Sequence, residues 1–264
     1  MKHIRIVMIG AGNVATHISK ALAGKGCAPI QVWSRSGESA ATLAESVCCE
    51  AVTDMAKVVD DADLYILSVA DQALPEVIGK LGERNLHGVV VHTAGTMPMQ
   101  LLHGHALHYG VLYPMQTFSK QKSLDFSNIP CFVEASDEYA KSVIMQVAGM
   151  LSDRVYELSS ADRKWLHIAA VFACNFTNAC YSMAARILEE HGLDFSMMLP
   201  LVDEATKKLH TLNPVDAQTG PAARGDRNVM SSHLAMLDSC KDLQNVYAVM
   251  SGEIMRNANS ADKR

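Results

Sequence analysis

The feature that most constrains this chain is a six-residue turn near its start, Gly10-Ala11-Gly12-Asn13-Val14-Ala15. It stands between an apolar run at 4–9 and a stretch of helical character at 14–24. A strand that ends in G-x-G-x-x-[G/A] and leads straight into a helix opens a βαβ unit. Gly10 permits the tight turn, Gly12 lets backbone approach a ligand, and Ala15 lets helix pack on strand. Free amides and the positive end of the helix dipole then favour an anion, here the pyrophosphate of a dinucleotide. Taken alone the glycines would mark an ordinary turn; the strand before and the helix after give them their meaning.

The end of the next strand, at 30–34, selects between dinucleotides. NAD sites place an acid there, roughly 20 residues after the glycines, to bind the ribose 2′-hydroxyl. This chain has Ser34-Arg35-Ser36. A guanidinium between two hydroxyls suits a 2′-phosphate, so NADP is the expected cofactor; the alternative is a solvated turn with an incidental arginine. Ligands in such sheets bind outside the carboxyl ends of the strands. Gly10, Gly12, Asn13, Val14, Ser34, Arg35, Ser36, Val69, Ala70 and Thr93 are therefore the expected cofactor contacts.

Further apolar runs at 64–69 and 89–92 fit strands buried on both faces. Residues 107–112 and 131–134 extend the sheet, and 155–158 close it. From Ser159 the pattern changes: Ser159-Ser160-Ala161-Asp162 resembles a capping box, and no Gly or Pro interrupts the chain to about Glu190. Helical patterns return at 196–212 and 229–257, with a Gly, Pro and Asp-rich loop at 213–227 between them. The expected fold class is α/β, a Rossmann doubly wound parallel sheet followed by an all-α C-terminal domain. The expected boundaries are 1–158 for the NADP-binding domain and 159–264 for a helical substrate and dimerisation domain.

The net charge of −5 argues against a nucleic-acid binder, which needs a basic face. No apolar run approaches the roughly 18 to 20 residues a membrane helix needs. Seven cysteines without C-x-x-C spacing, and no signal peptide, favour reduced thiols and a cytoplasmic location. His103, His105 and His108 lie close together, but no carboxylate or cysteine completes a metal set. The vicinal pair Cys48-Cys49 reads as a short buried strand edge, the alternative being a redox-active pair.

Three segments carry possible chemistry. Gln116 and Thr117, at the end of a strand, offer neutral donors and acceptors to a substrate, or simply belong to a packed crossover; Lys120 beyond them can hold a carboxylate. On the long helix His167, Asn175 and Asn178 recur at helical spacing within an apolar stretch. A histidine can pass a proton near neutral pH and asparagines can orient a substrate, while the plainer account is a core histidine. In the loop at 213–227, Thr219 and Arg224 can clamp an anionic group, or Arg224 and Asp226 brace the turn.

These segments also carry a resemblance. Gly10-Ala11-Gly12-Asn13-Val14, Tyr113-Pro114-Met115-Gln116-Thr117-Phe118, His167-Ile168-Ala169-Ala170-Val171-Phe172, Asn175-Phe176 and Gln218-Thr219-Gly220-Pro221-Ala222-Ala223-Arg224 resemble a bacterial family assigned as NADP oxidoreductases. Its members join a Rossmann domain, similar to that of F420-dependent NADP oxidoreductases, to a C-terminal domain of unknown function. The resemblance implies NADP, a small-molecule substrate and a helical second domain of the 6-phosphogluconate dehydrogenase C-terminal type. Similar domains occur in pyrroline-5-carboxylate reductase and the β-hydroxyacid dehydrogenases, where they commonly form homodimers. The β-hydroxyacid dehydrogenases carry a catalytic Lys four residues before a helical Asn; Asn175 resembles that Asn, but Val171 stands at the Lys position. The expected activity is hydride transfer between NADP(H) and a small carbonyl, imine or hydroxyacid-type compound. The alternative is a non-catalytic NADP(H) sensor.

Overall fold

The computed structural model describes residues 4–122 and 124–261. Short apolar runs form the strands β1 (Ile6–Ile9), β2 (Gln31–Trp33), β3 (Glu50–Val52), β4 (Leu64–Leu67), β5 (Val89–His92), β6 (Tyr109–Pro114), β7 (Cys131–Ala135) and β8 (Val155–Glu157). Among the described residues they make one eight-stranded sheet in the order β3-β2-β1-β4-β5-β6-β7-β8. Every neighbouring pair is parallel except β6 and β7. The order reverses direction at β1, so the gap between the β1 and β4 carboxyl ends is the switch point where such sheets bind ligands.

The register explains why the central strands are continuously apolar. Side chains alternate between faces along a strand. Ile6 and Met8 join one core, with Ile18 and Leu22 of α1 (Asn13–Gly24), Leu43 of α2 (Gly37–Ser46) and a later helix. Val7 and Ile9 join the other, with Leu74, Val77 and Leu81 of α3 (Leu74–Gly82). That later helix is α4 (Glu138–Leu151), begun by Asp137, whose side chain accepts from the Ala140 amide, and packed through Ile144 and Val147.

Ser159 caps α5 (Ser160–Ala170), accepting from the Asp162 amide as the capping pattern predicts. The stretch behind it is not one regular helix. A π turn, Val171–Phe176, separates α5 from α6 (Thr177–Glu190). The expected stripe of His167, Asn175 and Asn178 assumed an unbroken α-helical phase, and the wider turn removes that basis. The chain divides into two compact units, Met1–Cys174 and Asn175–Arg264, and this division falls inside the π turn. The start of α5 belongs to the sheet unit because Ser160 and Arg163 are buried there and bonded to Met97, Met99 and Glu134.

The second unit contains α6, α7 (Leu199–Lys208), α8 (Arg227–Met236) and α9 (Lys241–Ala261). The helix expected over 229–257 breaks at 237–240, where Asp238 and Ser239 favour a turn over a helix interior. His233 and Tyr247 tie α8 to α9, their Nδ1 and hydroxyl 2.9 Å apart. Large apolar side chains stay exposed on these helices, Leu201, Met236 and Val249 among them.

Two further readings need correction. By length and composition alone the helical stretch Ser160–Glu190 could cross a membrane: its most apolar 18-residue window has mean hydropathy 1.2, and none of that window is buried. It passes through an average over Ala, Cys, Phe and Ile with few charges, not through an uninterrupted apolar run. Cys48 is not on a buried strand edge; it is exposed, with φ +56°, in the turn before β3.

Candidate active site

The turn after β1 is built as the glycine pattern requires. Gly10 has φ +119°, and its amide donates to Trp33 O (2.7 Å), holding the turn against β2. A Cβ at Gly10 would lie 2.1 Å from the Ser68 carbonyl oxygen, so only glycine fits between β1 and the end of β4. Gly12 differs: it is the N-cap of α1, it has φ −78°, and a Cβ there would meet nothing within 4 Å. The first turn of α1 has no side-chain cap and no acidic residue. Uncapped amides beside an open cradle are what a pyrophosphate needs. The residues present therefore fit a dinucleotide.

At the end of β2, Ser36 caps α2 and Ser34 Oγ accepts from the Ser36 amide (3.3 Å), leaving Arg35 exposed at a second helix start. The Glu76 carboxyl is held below its ordinary range first by its hydrogen bond to Lys80 and only last by the charge of Arg35. We expect Arg35→Ala to weaken NADPH binding about 10- to 100-fold, the usual worth of a charge-assisted hydrogen bond, with NADH binding nearly unchanged. Titration calorimetry with both nucleotides checks this, and equal losses for the two would contradict it.

A crevice of about 370 Å³ opens at the carboxyl ends of β1, β4, β5 and β6. Gly12, Asn13, Val14, Val69, Ala70, Thr93, Gln116 and His167, all expected from the sequence, line it. Thr117 is not in the lining; its amide donates to Gln116 Oε1 (2.9 Å). Lys120 Nζ donates to Ala11 O (2.8 Å), and Asn13 Nδ2 donates to Phe118 O (3.0 Å), folding this segment over the glycine turn. A larger hollow, about 520 Å³, runs along α1 between Lys20 and Phe126. It lies away from the strand ends, and the crevice is where the sheet topology places a ligand.

Asn175, Asn178, Thr219 and Arg224 belong to the second unit, and all four are exposed. Asp226 caps α8 by accepting from the Val229 amide (3.2 Å), so this acid does brace the turn.

The structure adds a residue that sequence reasoning passed over. Tyr113, at the end of β6, lines the crevice with its hydroxyl 3.1 Å from His167 Nδ1, the two rings meeting edge to face. Burial pushes the Tyr113 phenol above its ordinary range, so it keeps its proton. The pair closes on Gly95, where a Cβ would lie 2.5 Å from His167 Nδ1. Tyr113 carried a signal, an aromatic with a polar tip at a strand's carboxyl end, in the same segment as Gln116.

A mostly parallel sheet with a glycine turn at its switch point and an arginine at the second strand's end defines a Rossmann-type dinucleotide-binding protein. Residues 5–94 match the family model "NADP oxidoreductase coenzyme F420-dependent", and residues 129–254 match "Domain of unknown function (DUF2520)". A crystal structure of a Bacteroides fragilis protein assigned as an NADP oxidoreductase is 48% identical, covers 96% of this chain and 98% of its own, and superposes with a TM-score of 0.91. The chain belongs to this family of NADP oxidoreductases, and NADP is the cofactor of the family. More distant structures share the fold. An imine reductase from Myxococcus stipitatus in complex with NADP+ is 16% identical over 98% of this chain and 94% of its own, with a TM-score of 0.64. A pyrroline-5-carboxylate reductase from Coxiella burnetii is 17% identical over 98% of both chains, with a TM-score of 0.61. A comparison with curated proteins gave no match.

Proposed function

We propose that this protein transfers a hydride between NADP(H) and a small carbonyl, imine or hydroxyacid-type substrate, with His167 as the proton donor and acceptor. The observation that carries this reading is the His167–Tyr113 pair on the wall of the same crevice that begins at the glycine turn. Bound NADPH would supply the hydride to an electrophilic carbon. The chain supplies the rest. Gly12 and the first amides of α1 receive the pyrophosphate, and Ser34, Arg35 and Ser36 receive the 2′-phosphate. His167 enters the reducing direction as imidazolium and donates through Nδ1 to the Tyr113 hydroxyl oxygen, so that the ring is left neutral, with its proton on Nδ1, after losing the one on Nε2. That nitrogen gives its proton to the carbonyl oxygen or imine nitrogen as the hydride arrives, and takes it back in the reverse direction. Val69, Ala70 and Thr93 allow close approach of ribose and nicotinamide, and Gln116 orients the substrate, its Oε1 accepting from the amide and hydroxyl of Thr117.

Asn175, Asn178, Thr219 and Arg224 are the groups we assign to orienting the substrate and binding its anionic part. We take the functional halves to be 1–158 and 159–264, and the protein to act in the cytoplasm as a homodimer. Exposed Trp165 and Phe172, with Met236 and Val249, support the dimer, since monomers rarely leave so many large apolar groups in water. A dimer contact over Trp165 and Phe172 would account for the apolarity of Ser160–Glu190 without a membrane.

The test follows NADPH absorbance against keto acids, aldehydes and cyclic imines, after calorimetry establishes binding. Steady consumption with any member supports the enzyme. Tight binding with no consumption across a broad panel favours a sensor, the reading to which Val171, in place of a helical lysine, would then belong.

A further inference from the structure

The loop from Thr93 to Pro98, which leaves β5 along the floor of the crevice, is held by hydrogen bonds at almost every polar position. Thr93 Oγ1 donates to Ser68 Oγ (3.2 Å). The Ala94 amide donates to His92 Nδ1 (3.2 Å), and His92 is fully buried. Thr96 Oγ1 donates to Asp71. The remaining holds come from the first turn of α5. Arg163 Nη2 donates to Met97 O (2.6 Å), and the Met99 amide donates to Ser160 Oγ (2.9 Å). Arg163 also donates to Glu134 Oε2 through Nη1 (2.8 Å) and to Ser160 Oγ through Nη2 (3.1 Å), while Ser160 Oγ donates to Glu134 (2.5 Å).

Arg163 is 1% exposed, the largest side chain among the fully buried ones, and its partner Glu134 is 16% exposed at the side chain. A buried ion pair is a poor way to gain stability, because desolvation takes back most of the attraction and an apolar replacement often does as well. A planar fork with donors in fixed directions does something an apolar residue cannot: it holds three acceptors in one geometry. One turn further along α5, on the same face, stands His167, against which Gly95 of the loop packs without a Cβ. The helix therefore grips the loop twice, through Arg163 at Met97 and through His167 at Gly95.

We propose that Arg163, with Ser160 and Glu134, is a positioning residue that fixes the Ala94–Gly95 floor of the crevice and His167 as one rigid piece, setting the half of the NADP site distal from Arg35. The inference rests on the cofactor reading above and adds a part of the chain to it. Burial, with the nearby Arg163 charge, pushes His92 down to about 4, so the imidazole that accepts from Ala94 stays neutral at working pH. No titration is needed for the loop to hold.

The experiment compares NADPH with adenosine 2′,5′-bisphosphate, which carries only the Arg35 half, in wild-type protein and in Arg163→Lys, Ser160→Ala and Glu134→Gln. Arg163→Lys keeps the charge but loses the fork. Glu134→Gln keeps an acceptor and nearly the same shape, so it reports even where Arg163→Lys fails to fold. The expected result is unchanged affinity for the bisphosphate, NADPH affinity lower by about tenfold, and emission of bound NADPH shifted toward that of free NADPH. Parallel losses for both ligands, or no loss for either, would overturn the proposal and leave the cofactor reading standing. Wild-type protein that binds neither ligand would remove both.

Discussion

Gly10→Ala should cost roughly 3 kcal/mol or more of stability and abolish measurable NADPH binding, whereas Gly12→Ala should fold normally and lose only the cofactor. The two glycines stand two residues apart in one turn, yet different physics demands each. At Gly10 a methyl group would lie 2.1 Å from the Ser68 carbonyl oxygen and 3.2 Å from Val69 Cγ1, on a backbone with φ +119°. The obstruction is main chain at the end of β4, which cannot move without parting β1 from its neighbour. Backbone strain and steric overlap each cost about 1–3 kcal/mol, and they add because neither can relax without worsening the other. At Gly12 φ is −78° and nothing lies within 4 Å of an added Cβ. The protein alone gives no reason for glycine there. The methyl would instead occupy the open cradle before the first amides of α1, and an affinity loss of at least about tenfold is expected. Urea midpoints separate the two variants, and calorimetry with NADPH reads the binding. Wild-type affinity in Gly12→Ala would mean that no phosphate lies against this turn.

The contrast shows which parts of the molecule were legible beforehand. The glycine turn, the buried strands and the Arg35 loop follow from local rules, in which a period, a φ requirement or a charge at a fixed offset decides the outcome. Val89–His92 falls where its apolar run does, and Ser159 caps α5 as its spacing to Asp162 predicts. Three elements were missed for equally local reasons. β3 is three residues at a sheet edge, with Glu50 and Ala51 exposed, so no apolar alternation marks it. α3 starts at Leu74-Pro75, where proline suits a first turn but reads as a break. α4 needs Asp137 recognised as a cap rather than one of several acids near Ser136. The π turn could not be read at all, since Val171–Phe176 contains no residue that forbids an α-helix. Within the site, single residues such as His167 and Gln116 could be singled out by type. Their partners could not. Tyr113 meets His167 across 54 positions of sequence, and Arg163 meets Met97 across 66. Those pairings come from the order of the strands, which no local window contains.

The second large effect concerns chemistry rather than binding. His167→Ala is expected to lower kcat by about 10²–10⁴-fold with the carbonyl or imine compound that supports NADPH consumption, the usual range for removing a positioned acid or base. NADPH affinity should change little, because the imidazole forms one wall of the crevice and is not part of the phosphate cradle. Alanine alone cannot distinguish lost proton transfer from a widened pocket, so two further variants bracket it. Tyr113→Phe keeps the ring that meets His167 edge to face and removes only the hydroxyl 3.1 Å from Nδ1. It should reduce kcat by a smaller factor, on the order of tenfold, and change the pH dependence of kcat, since the ring then loses the acceptor that holds its Nδ1 proton. Gly95→Ala works from the other side. A Cβ there would lie 2.5 Å from His167 Nδ1 and 3.1 Å from Tyr113 Cζ, while the backbone tolerates alanine, so the methyl pushes the imidazole and the phenol apart without touching the glycine turn. Its kcat should fall toward that of His167→Ala, and combining the two should cost little more than either alone, because both remove the same proton transfer. Additive losses in the double variant, or full activity in His167→Ala, would show that the proton comes from elsewhere.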